Sequence, residues 1–409
     1  MNQRILLIAF EDWYSTARLP TVLTNAGFEV GVLSEPGNFV AQSRHVARKF
    51  LLDVPQVRRG HLDSIVAAID AFAPDLLVPG DERAARVVKF LQDAPATRDQ
   101  PALRRLLRRS VGEIDGDKHA GQRGEMLDLM SRLGFACPAH APVHRARDIA
   151  RFAERQGWPV YLKRDHTYGG QGVRFCPDAA AAESAYREFT RGHLLGSPLG
   201  LWRRGRRLLQ SLRPRRDPLA LPIGPQGISV EAAIAGQPAF YTGVAFEGRS
   251  IVGFAAEVEA FHPPPAGPST RVRLHHDETM DRMAARLVEA ISHSGLFGLD
   301  FIRKADGALA FLEFNGRPTT VSHLGGLVGA DLEAALFAAS AGRALLPPDR
   351  SAEVRVALFP QDWIRDPAGD RQRLHLDIPR DDPTIIAALS VRLPPSVDRA
   401  EIEMLSRAQ

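Results

Sequence analysis

The sequence predicts a protein of more than one domain: a doubly wound α/β sheet comes first, and a larger region of mixed α/β and α+β structure follows. Short apolar runs alternate with helical patterns through residues 1–112, as a parallel sheet requires. Later strand-like runs follow one another directly, which is typical of antiparallel sheets. The chain has 409 residues, and one domain usually has roughly 100–200. These observations favour two or three packed units.

The first region is predicted to have three buried strands, at residues 5–10, 30–33 and 76–79. Helical patterns connect them, and one of these patterns, at residues 65–72, ends at Pro74. Ligands of doubly wound sheets bind at the carboxyl ends of the strands. Residues 10–13 and 80–82 are therefore candidate binding loops, although ordinary helix-capping turns would explain them equally well.

Composition excludes several classes of protein. Apolar residues make up 44% of the chain and charged residues 24%, which is ordinary for a globular protein and argues against disorder or membrane insertion. The 52 basic residues are nearly balanced by 48 acidic ones, so we expect no nucleic-acid partner and no membrane partner. Cys137 and Cys176 are the only cysteines and lack metal-type spacing. Reduced thiols fit a cytoplasmic location.

A glycine-rich hairpin is predicted in the middle of the chain. Residues 159–163 form an apolar strand that Lys163 closes, and residues 173–175 form the returning strand. Between them lie three glycines, Gly169, Gly170 and Gly172. Glycines allow the backbone to approach an anion closely, and a lysine at a strand end can reach phosphate oxygens. The spacing matches neither the P-loop nor the Rossmann fingerprint.

A second hairpin carries the most informative polar residues. Strands at residues 297–303 and 309–314 are joined by an Asp-Gly turn at residues 305–307. Alternation places Glu313 and Asn315 on one face, with Leu312 and Phe314 towards the core. In the expected register Asp300 points the same way as Glu313. Hard oxygen ligands suit Mg²⁺, although an exposed strand face with routine polar residues is an equally good explanation.

Residues 192–225 break the regular pattern. Seven arginines lie between Arg203 and Arg216, with several prolines nearby. The favoured interpretation is a solvated surface insertion, and the alternative is an electropositive lid over an anionic substrate. Beyond it, residues 228–234, 239–244 and 251–261 are predicted to form one antiparallel sheet, and residues 353–359 a further strand.

In their order and spacing, these features resemble the ATP-grasp superfamily, which includes carboxylate–amine ligases and biotin carboxylase. The resemblance extends over residues 1–345. The motifs that carry it are Asp117-Lys118 opening a helix, residues 134–138, Lys163 with its glycine-rich turn, Gly298-Leu299-Asp300, and residues 312–318. It implies three parts: a pre-ATP-grasp domain at 1–112, an ATP-grasp domain of two lobes at 113–345, and a C-terminal extension at 346–409.

The resemblance also implies roles for individual residues. Lys118 and Lys163 would bind ATP phosphates beneath the glycine-rich turn, and Arg317 would neutralise a substrate carboxylate. Mg²⁺, or Mn²⁺ in its place, would be held by Asp300, Glu313 and Asn315. Gln210 and Glu231 are the candidates for the nucleotide-binding hinge, although the insertion separates them. Arg317 and Lys163 are thus the catalytic candidates.

The implied function is an ATP-dependent ligase that activates a carboxylate as an acyl phosphate and condenses it with an amine. The alternatives are a bicarbonate-activating, carboxylase-like enzyme and a non-catalytic ATP-binding regulatory protein. Small-molecule substrates and a homodimer are expected.

Some positions depart from the family pattern. Gly227 stands where many members carry a ribose-binding acid, and Gly298 where dipeptide-forming members often carry an arginine. The arginine that stabilises the oxyanion is therefore expected to be Arg317 or one from residues 269–273. His262 and His323 lack catalytic or metal spacing, and a structural role is favoured for both.

Overall fold

A computed structural model describes residues 3–52, 61–94, 97, 99–113, 123–165, 172–194, 227–264, 267–344 and 352–407. Its strands form three sheets, of four, four and seven strands. Within these ranges, no helix is both long enough and apolar enough to cross a membrane.

The first sheet is parallel and has helices on both faces, as predicted. Its strand order is β3-β2-β1-β4, with β1 Arg4–Ala9, β2 Glu29–Ser34, β3 Arg48–Leu51 and β4 Leu76–Pro79. The helices are α1 Leu19–Asn25, α2 His61–Phe72, α3 Glu82–Asp93 and α4 Pro101–Val111. Alternate side chains divide between two cores: one includes α1, and the other includes α2, α3 and α4. The edge strand β3 is an addition to the sequence prediction.

Asp81 joins the carboxyl ends of β1 and β4. Its Oδ2 accepts hydrogen bonds from the amides of Phe10 at 2.6 Å and Glu11 at 3.0 Å, while its Oδ1 accepts one from the Ala84 amide at 2.8 Å, capping α3. Burial raises the pKa of this carboxyl to about 6, against the lowering effect of the three amides. Asp81 therefore fixes the relative positions of the two predicted binding loops.

The second sheet is antiparallel, with strand order β5-β8-β6-β7. After helix α5 (Arg123–Arg132), its elements are β5 His140–Val143, α6 Ala146–Gln156, β6 Val160–Arg164, β7 Val173–Cys176, α7 Ala179–Leu194 and β8 Ile228–Ala232. Helices α6 and α7 pack on one face, against Val160, Leu162 and Val230. The prediction that residues 228–234 share a sheet with residues 239–261 is wrong, because Val230 is buried in this core and β8 pairs with β6.

The third and largest sheet has the strand order β13-β12-β9-β10-β11-β14-β15. Its strands are β9 Gln237–Phe246, β10 Arg249–Phe261, β11 Ser269–His275, β12 Gly295–Arg303, β13 Leu309–Asn315, β14 Val354–Leu358 and β15 His375–Asp377. Its helices are α8 Glu278–Ile291, α9 Leu332–Ser340, α10 Gln361–Arg365, α11 Pro383–Ser390 and α12 Arg399–Arg407. The predicted strand at 353–359 is present as β14.

The large sheet separates two cores. On one face, α5 and α8 pack against Tyr241, Phe297 and Phe301. On the other face, Phe240, Val244 and Leu296 join α9 and the first sheet in one continuous core. Helices α10, α11 and α12, in the C-terminal part of the chain, share a core with Ala17 and Phe39 of the first region. The proposed limits of the three domains stay predictions.

Candidate functional site

The hairpin formed by β12 and β13 brings three polar side chains to one face of the large sheet. Asp300 pairs with Glu313 and Gly298 with Asn315, while Leu299 and Phe314 are buried on the opposite face. Gly307 adopts a positive φ of 84° in the turn, a conformation that glycine adopts without strain. Leu312 is only half-buried, contrary to prediction, because it is the extra residue where the register shifts between Asp300 and Phe301.

The two carboxylates, Asp300 and Glu313, lie close enough to repel each other. Burial raises the pKa of Asp300 to about 6, and the charge of Glu313 adds to the rise, against Arg317 and Asn315. The Asn315 amide donates to Asp300 Oδ2 at 3.1 Å. In the described part of the chain, no cluster of three or more His, Cys, Asp or Glu side chains could hold a metal. Two carboxylates and an amide oxygen therefore form a partial oxygen set, which suits Mg²⁺ if other oxygens complete it.

Lys163 and Glu231 form a buried ion pair on the second sheet. The Lys163 Nζ lies 2.6 Å from Glu231 Oε2, and the two side chains are 11% and 2% exposed. Register places Lys163 opposite Ser229, on the face away from the helices. Glu231 Oε1 and Ser229 Oγ are buried, and neither has a hydrogen-bond partner among the described residues. A buried acceptor without a donor is costly, so this face is suited to a ligand that donates hydrogen bonds.

Arg123, which the sequence analysis missed, connects the two sheets. Its guanidinium lies 3.1 Å from Glu313 Oε1 on β13, and its Nη1 donates to the Arg164 carbonyl on β6 at 3.5 Å. Burial lowers the pKa of Arg123, but Glu313, Glu231 and Asp165 raise it more, and the net shift is upward. Nothing in the local sequence distinguishes this arginine from a surface residue of a helix.

Arg317 connects the β12–β13 hairpin to the first sheet. Its Nε lies 3.2 Å from Glu82 Oε2, and its other nitrogens donate to Asn315 Oδ1 at 3.4 Å and the Pro318 carbonyl at 3.2 Å. Glu82 is the first residue of α3, three residues after Pro79 at the carboxyl end of β4. One of the two predicted binding loops therefore reaches Arg317 through Glu82.

Solved structures resemble the chain over most of its length. The biotin carboxylase domain dimer of 2-oxoglutarate carboxylase from Hydrogenobacter thermophilus, in complex with MgADP, ADP and bicarbonate, matches with a TM-score of 0.59 and 15% identity, covering 86% of this chain and 74% of that one. The biotin carboxylase β,γ-ATP complex from Campylobacter jejuni gives 0.60 and 14%, over 86% and 75%. N5-carboxyaminoimidazole synthetase from Staphylococcus aureus, complexed with ADP, gives 0.58 and 12%, over 87% and 82%. The chain has the ATP-grasp fold.

Sequence comparisons add nothing to this result, because no protein-family model and no curated protein matches the chain. The ATP-grasp fold was therefore identified in the sequence by the order of a few motifs and is established by structural similarity alone. The fold class predicted from the sequence is confirmed.

Several residues predicted from the ATP-grasp resemblance lie outside the described residues: Lys118, Gly169, Gly170 and Gln210. Most of the arginine-rich insertion lies there too. Gly172 is described, and its carbonyl accepts a hydrogen bond from the Arg164 amide at 2.8 Å, next to Lys163.

At the two glycines that depart from the ATP-grasp pattern, neighbouring side chains occupy the space that a Cβ would need. A Cβ on Gly227 would lie 2.3 Å from Asp165 Oδ2, so Asp165 occupies the space that a side chain there would need. A Cβ on Gly298 would lie 2.3 Å from the Thr319 side chain. An arginine at position 298 is therefore incompatible with the present position of Thr319.

The alternative prediction, that an arginine from residues 269–273 stabilises the oxyanion, is wrong. Arg273 pairs with Glu257, and the ladder continues to Ala239 and Phe301, so this arginine lies on the opposite face from Asp300. Arg271 lies on the same face as Arg273 and forms an ion pair with Asp362 at 2.9 Å. Of the arginines proposed as oxyanion stabilisers, Arg317 is the one at the site.

The structural role favoured for His262 and His323 stays a prediction. His323 Nε2 lies 3.0 Å from Asp377 Oδ1, and both side chains are buried. Arg18 also contacts Asp377, at 3.4 Å, in the interior between the first region and β15. His262 lies at the end of β10, where its amide donates to the Pro268 carbonyl.

Proposed function

We propose that this protein is an ATP- and Mg²⁺-dependent ligase that activates a carboxylate as an acyl phosphate and joins it to an amine. The observation that carries the proposal is the convergence of three cations with a pair of metal-type carboxylates. Lys163, Arg123 and Arg317 come from three different parts of the chain and meet around Asp300 and Glu313. The structural neighbours described above contain MgADP, ADP or an ATP complex, which supports a nucleotide at this position.

Each residue has a proposed task. Lys163 offsets negative charge on the nucleotide phosphates as a compact cation, and Glu231 accepts hydrogen bonds from the nucleotide through its unpaired oxygen. Asp300, Glu313 and Asn315 would hold Mg²⁺, which neutralises phosphate charge during phosphoryl transfer. Arg317 neutralises the substrate carboxylate, next to the metal ligands.

The reaction then has two steps. The substrate carboxylate oxygen attacks the γ-phosphorus of ATP, ADP leaves, and an acyl phosphate forms. The amine nitrogen attacks the acyl carbon, phosphate leaves, and the amine loses one proton. The protein contributes mainly positioning and charge neutralisation, because phosphoryl transfer needs little covalent participation from the protein.

The wider assignments belong to the same proposal. The pre-ATP-grasp domain at 1–112 would supply part of the substrate pocket through Glu82, and residues 346–409 would support it from the C-terminal side. A homodimer is proposed by analogy with the dimeric biotin carboxylase domain, and light scattering measures it directly. A cytoplasmic location stays an expectation from the sequence.

The test is a coupled assay of ADP release with MgATP and a panel of carboxylates, each offered with and without a panel of amines. We expect ADP release that depends on one carboxylate and is accelerated by one amine, with an amide as product. Bicarbonate is included as a carboxylate, and carboxylation with bicarbonate alone would instead support the carboxylase-like alternative. ATP binding without ADP release across the whole panel would favour a non-catalytic ATP-binding protein.

A further inference from the structure

Arg123, on helix α5, contacts two strands of the site, β13 and β6. It is the first described residue of α5, and its side chain is 12% exposed. Two of its nitrogens contact the same oxygen of Glu313, Nη2 at 3.1 Å and Nε at 3.4 Å. The third, Nη1, reaches the last residue of β6, directly after Lys163. The guanidinium therefore lies between the candidate metal ligands and the candidate phosphate-binding lysine.

Among the described residues, three carboxylates of the site each form an ion pair with one cation. Lys163 is paired with Glu231, Arg123 with Glu313, and Arg317 with Glu82. Asp300 has the Asn315 amide. An anionic triphosphate entering this arrangement would be repelled by the carboxylates unless some of the pairs exchanged partners. Divalent cations at Asp300 and Glu313 are the expected agents of that exchange.

A metal ion and Arg123 compete for the same ligand. Glu313 is one third exposed and its Oε1 is the atom that Arg123 contacts, so a cation bound by Glu313 would displace the guanidinium or repel it. A displaced guanidinium would remain within the site, where its planar donors match phosphate oxygens better than any other side chain does.

We infer that Arg123 is a triphosphate-binding residue of the nucleotide site, and that its ion pair with Glu313 is the contact it makes when no metal–nucleotide complex is bound. This inference rests on the proposed function, because it assumes that the nucleotide phosphates lie next to Asp300 and Glu313. It adds a ligand contact that motif order does not reveal.

Helix α5 does not depend on Arg123 for its position. Met126, Leu127 and Met130 are buried and anchor the helix on the large sheet. Substitution of Arg123 is therefore expected to leave the fold intact, which circular dichroism and the thermal unfolding midpoint check. Arg132, exposed in the last turn of the same helix, provides a matched control.

The experiment compares Arg123→Gln, Arg123→Lys and Arg132→Gln with the wild type. Calorimetric titrations measure the affinity for ATP and for AMP in the presence of Mg²⁺. Arg123→Gln is expected to weaken ATP binding by about 10- to 100-fold, as for the loss of a hydrogen bond to a charged group, and AMP binding by less than about twofold. Arg123→Lys should lie between the two, and Arg132→Gln should behave as the wild type.

A second readout needs no nucleotide. Electron paramagnetic resonance measures Mn²⁺ binding to the nucleotide-free protein, and Arg123→Gln is expected to tighten it several-fold, because Glu313 is released from a competing cation. An equal loss of ATP and AMP affinity would assign Arg123 a merely structural role and overturn the inference. Unchanged ATP affinity in Arg123→Gln would overturn it as well. If the wild-type protein itself binds no ATP, the proposed function fails first.

Discussion

Two clusters of charged residues in this molecule use the same side chains in different ways. In the site, Glu313 and Glu82 each pair with one arginine among the described residues, and the two side chains are 33% and 28% exposed. In the second cluster, which we call the Asp362 cluster, a fully buried carboxylate holds Arg271, Arg365 and Arg371 at 2.8–2.9 Å. A partly exposed carboxylate with one arginine can exchange that partner for a ligand, whereas the buried Asp362 carboxylate is already paired with three arginines.

The two clusters differ in how deeply the carboxylate is buried and in how many arginines it holds. They do not differ in the types of residue that form them. Arg371 in the Asp362 cluster also stacks on Trp363, with its guanidinium carbon 4.4 Å from the ring centroid. Such an arginine is fixed by packing as well as charge. Substitutions in the site are therefore expected to change activity, and substitutions in the Asp362 cluster are expected to change stability.

The largest effect is expected at Lys163, because this residue belongs to the candidate site and also pairs with a buried carboxylate. Lys163→Met should lower ATP-dependent turnover by at least about 100-fold, because a preorganised cation is lost. It should also lower the free energy of unfolding by about 3–5 kcal/mol, because Glu231 is 2% exposed and loses its counter-charge. Assays of ADP release and thermal unfolding measure the two effects.

A second variant separates the two effects. The double substitution Lys163→Met with Glu231→Gln removes both charges, so it should recover most of the unfolding midpoint while staying inactive. Recovery of turnover in the double variant, or full turnover in Lys163→Met, would contradict the assigned role.

Asp362→Asn should destabilise the protein by about 3–5 kcal/mol and leave ATP affinity within about twofold of the wild type. Its three arginines, which are 9–22% exposed, would lose the counter-charge that they share at a fully buried position. Asp370→Asn, an exposed carboxylate in the same segment, is the control and should change neither quantity. A loss of ATP binding without loss of stability would show that the Asp362 cluster takes part in the site.

A third kind of carboxylate, Glu333, lacks a cation among the described residues and should make stability depend on pH. It is the second residue of α9, is 2% exposed, and its Oε1 has no hydrogen-bond partner there. Burial raises its pKa from 4.5 to about 8, with a further contribution from Asp331. The folded state therefore keeps a proton that the unfolded state releases above 4.5, and its stability falls as the pH rises through this window.

Glu333→Gln is expected to be more stable than the wild type near about pH 8, by on the order of 1–3 kcal/mol, and nearly equal to it at about pH 5. Unfolding midpoints of the two proteins across this range measure the difference. A constant difference at every pH would mean that Glu333 does not titrate between the folded and unfolded states.

The sequence predicts local elements of this molecule well and contacts between them poorly. The β12–β13 hairpin follows from alternation and an Asp-Gly turn, and the same reasoning places Asp300, Glu313 and Asn315 on one face. The same reasoning places Glu82 in a candidate binding loop but does not find its contact with Arg317, 235 residues away, and it does not find Arg123, whose partner Glu313 lies 190 residues away. A contact at that separation depends on how three sheets pack, and no local pattern encodes it.

The two errors in secondary structure have the same origin. Residue Leu312 alternates as a core residue in the sequence, yet a register shift of one residue makes it the extra member of a bulge. Strand β8 resembles its neighbours β9 and β10 in composition, yet Val230 is buried against Leu162 in another sheet. In both cases, local propensity is correct and pairing decides the outcome.

The smallest effect is expected at Glu82, which under the proposed function would compete with the substrate carboxylate for Arg317. Glu82→Gln should lower the KM for the carboxylate by about two- to fivefold and keep kcat, because a partly exposed ion pair contributes about 0.2–1 kcal/mol. Arg317 keeps its orientation through Asn315 and the Pro318 carbonyl. Glu35→Gln is the matched control, since Glu35 pairs with Arg83 at 3.1 Å and does not contact Arg317. A rise in KM would instead mean that Glu82 binds the substrate itself. The ion pair between Glu82 and Arg317 would then be a fixed contact, like those of the Asp362 cluster, and not one that the substrate replaces.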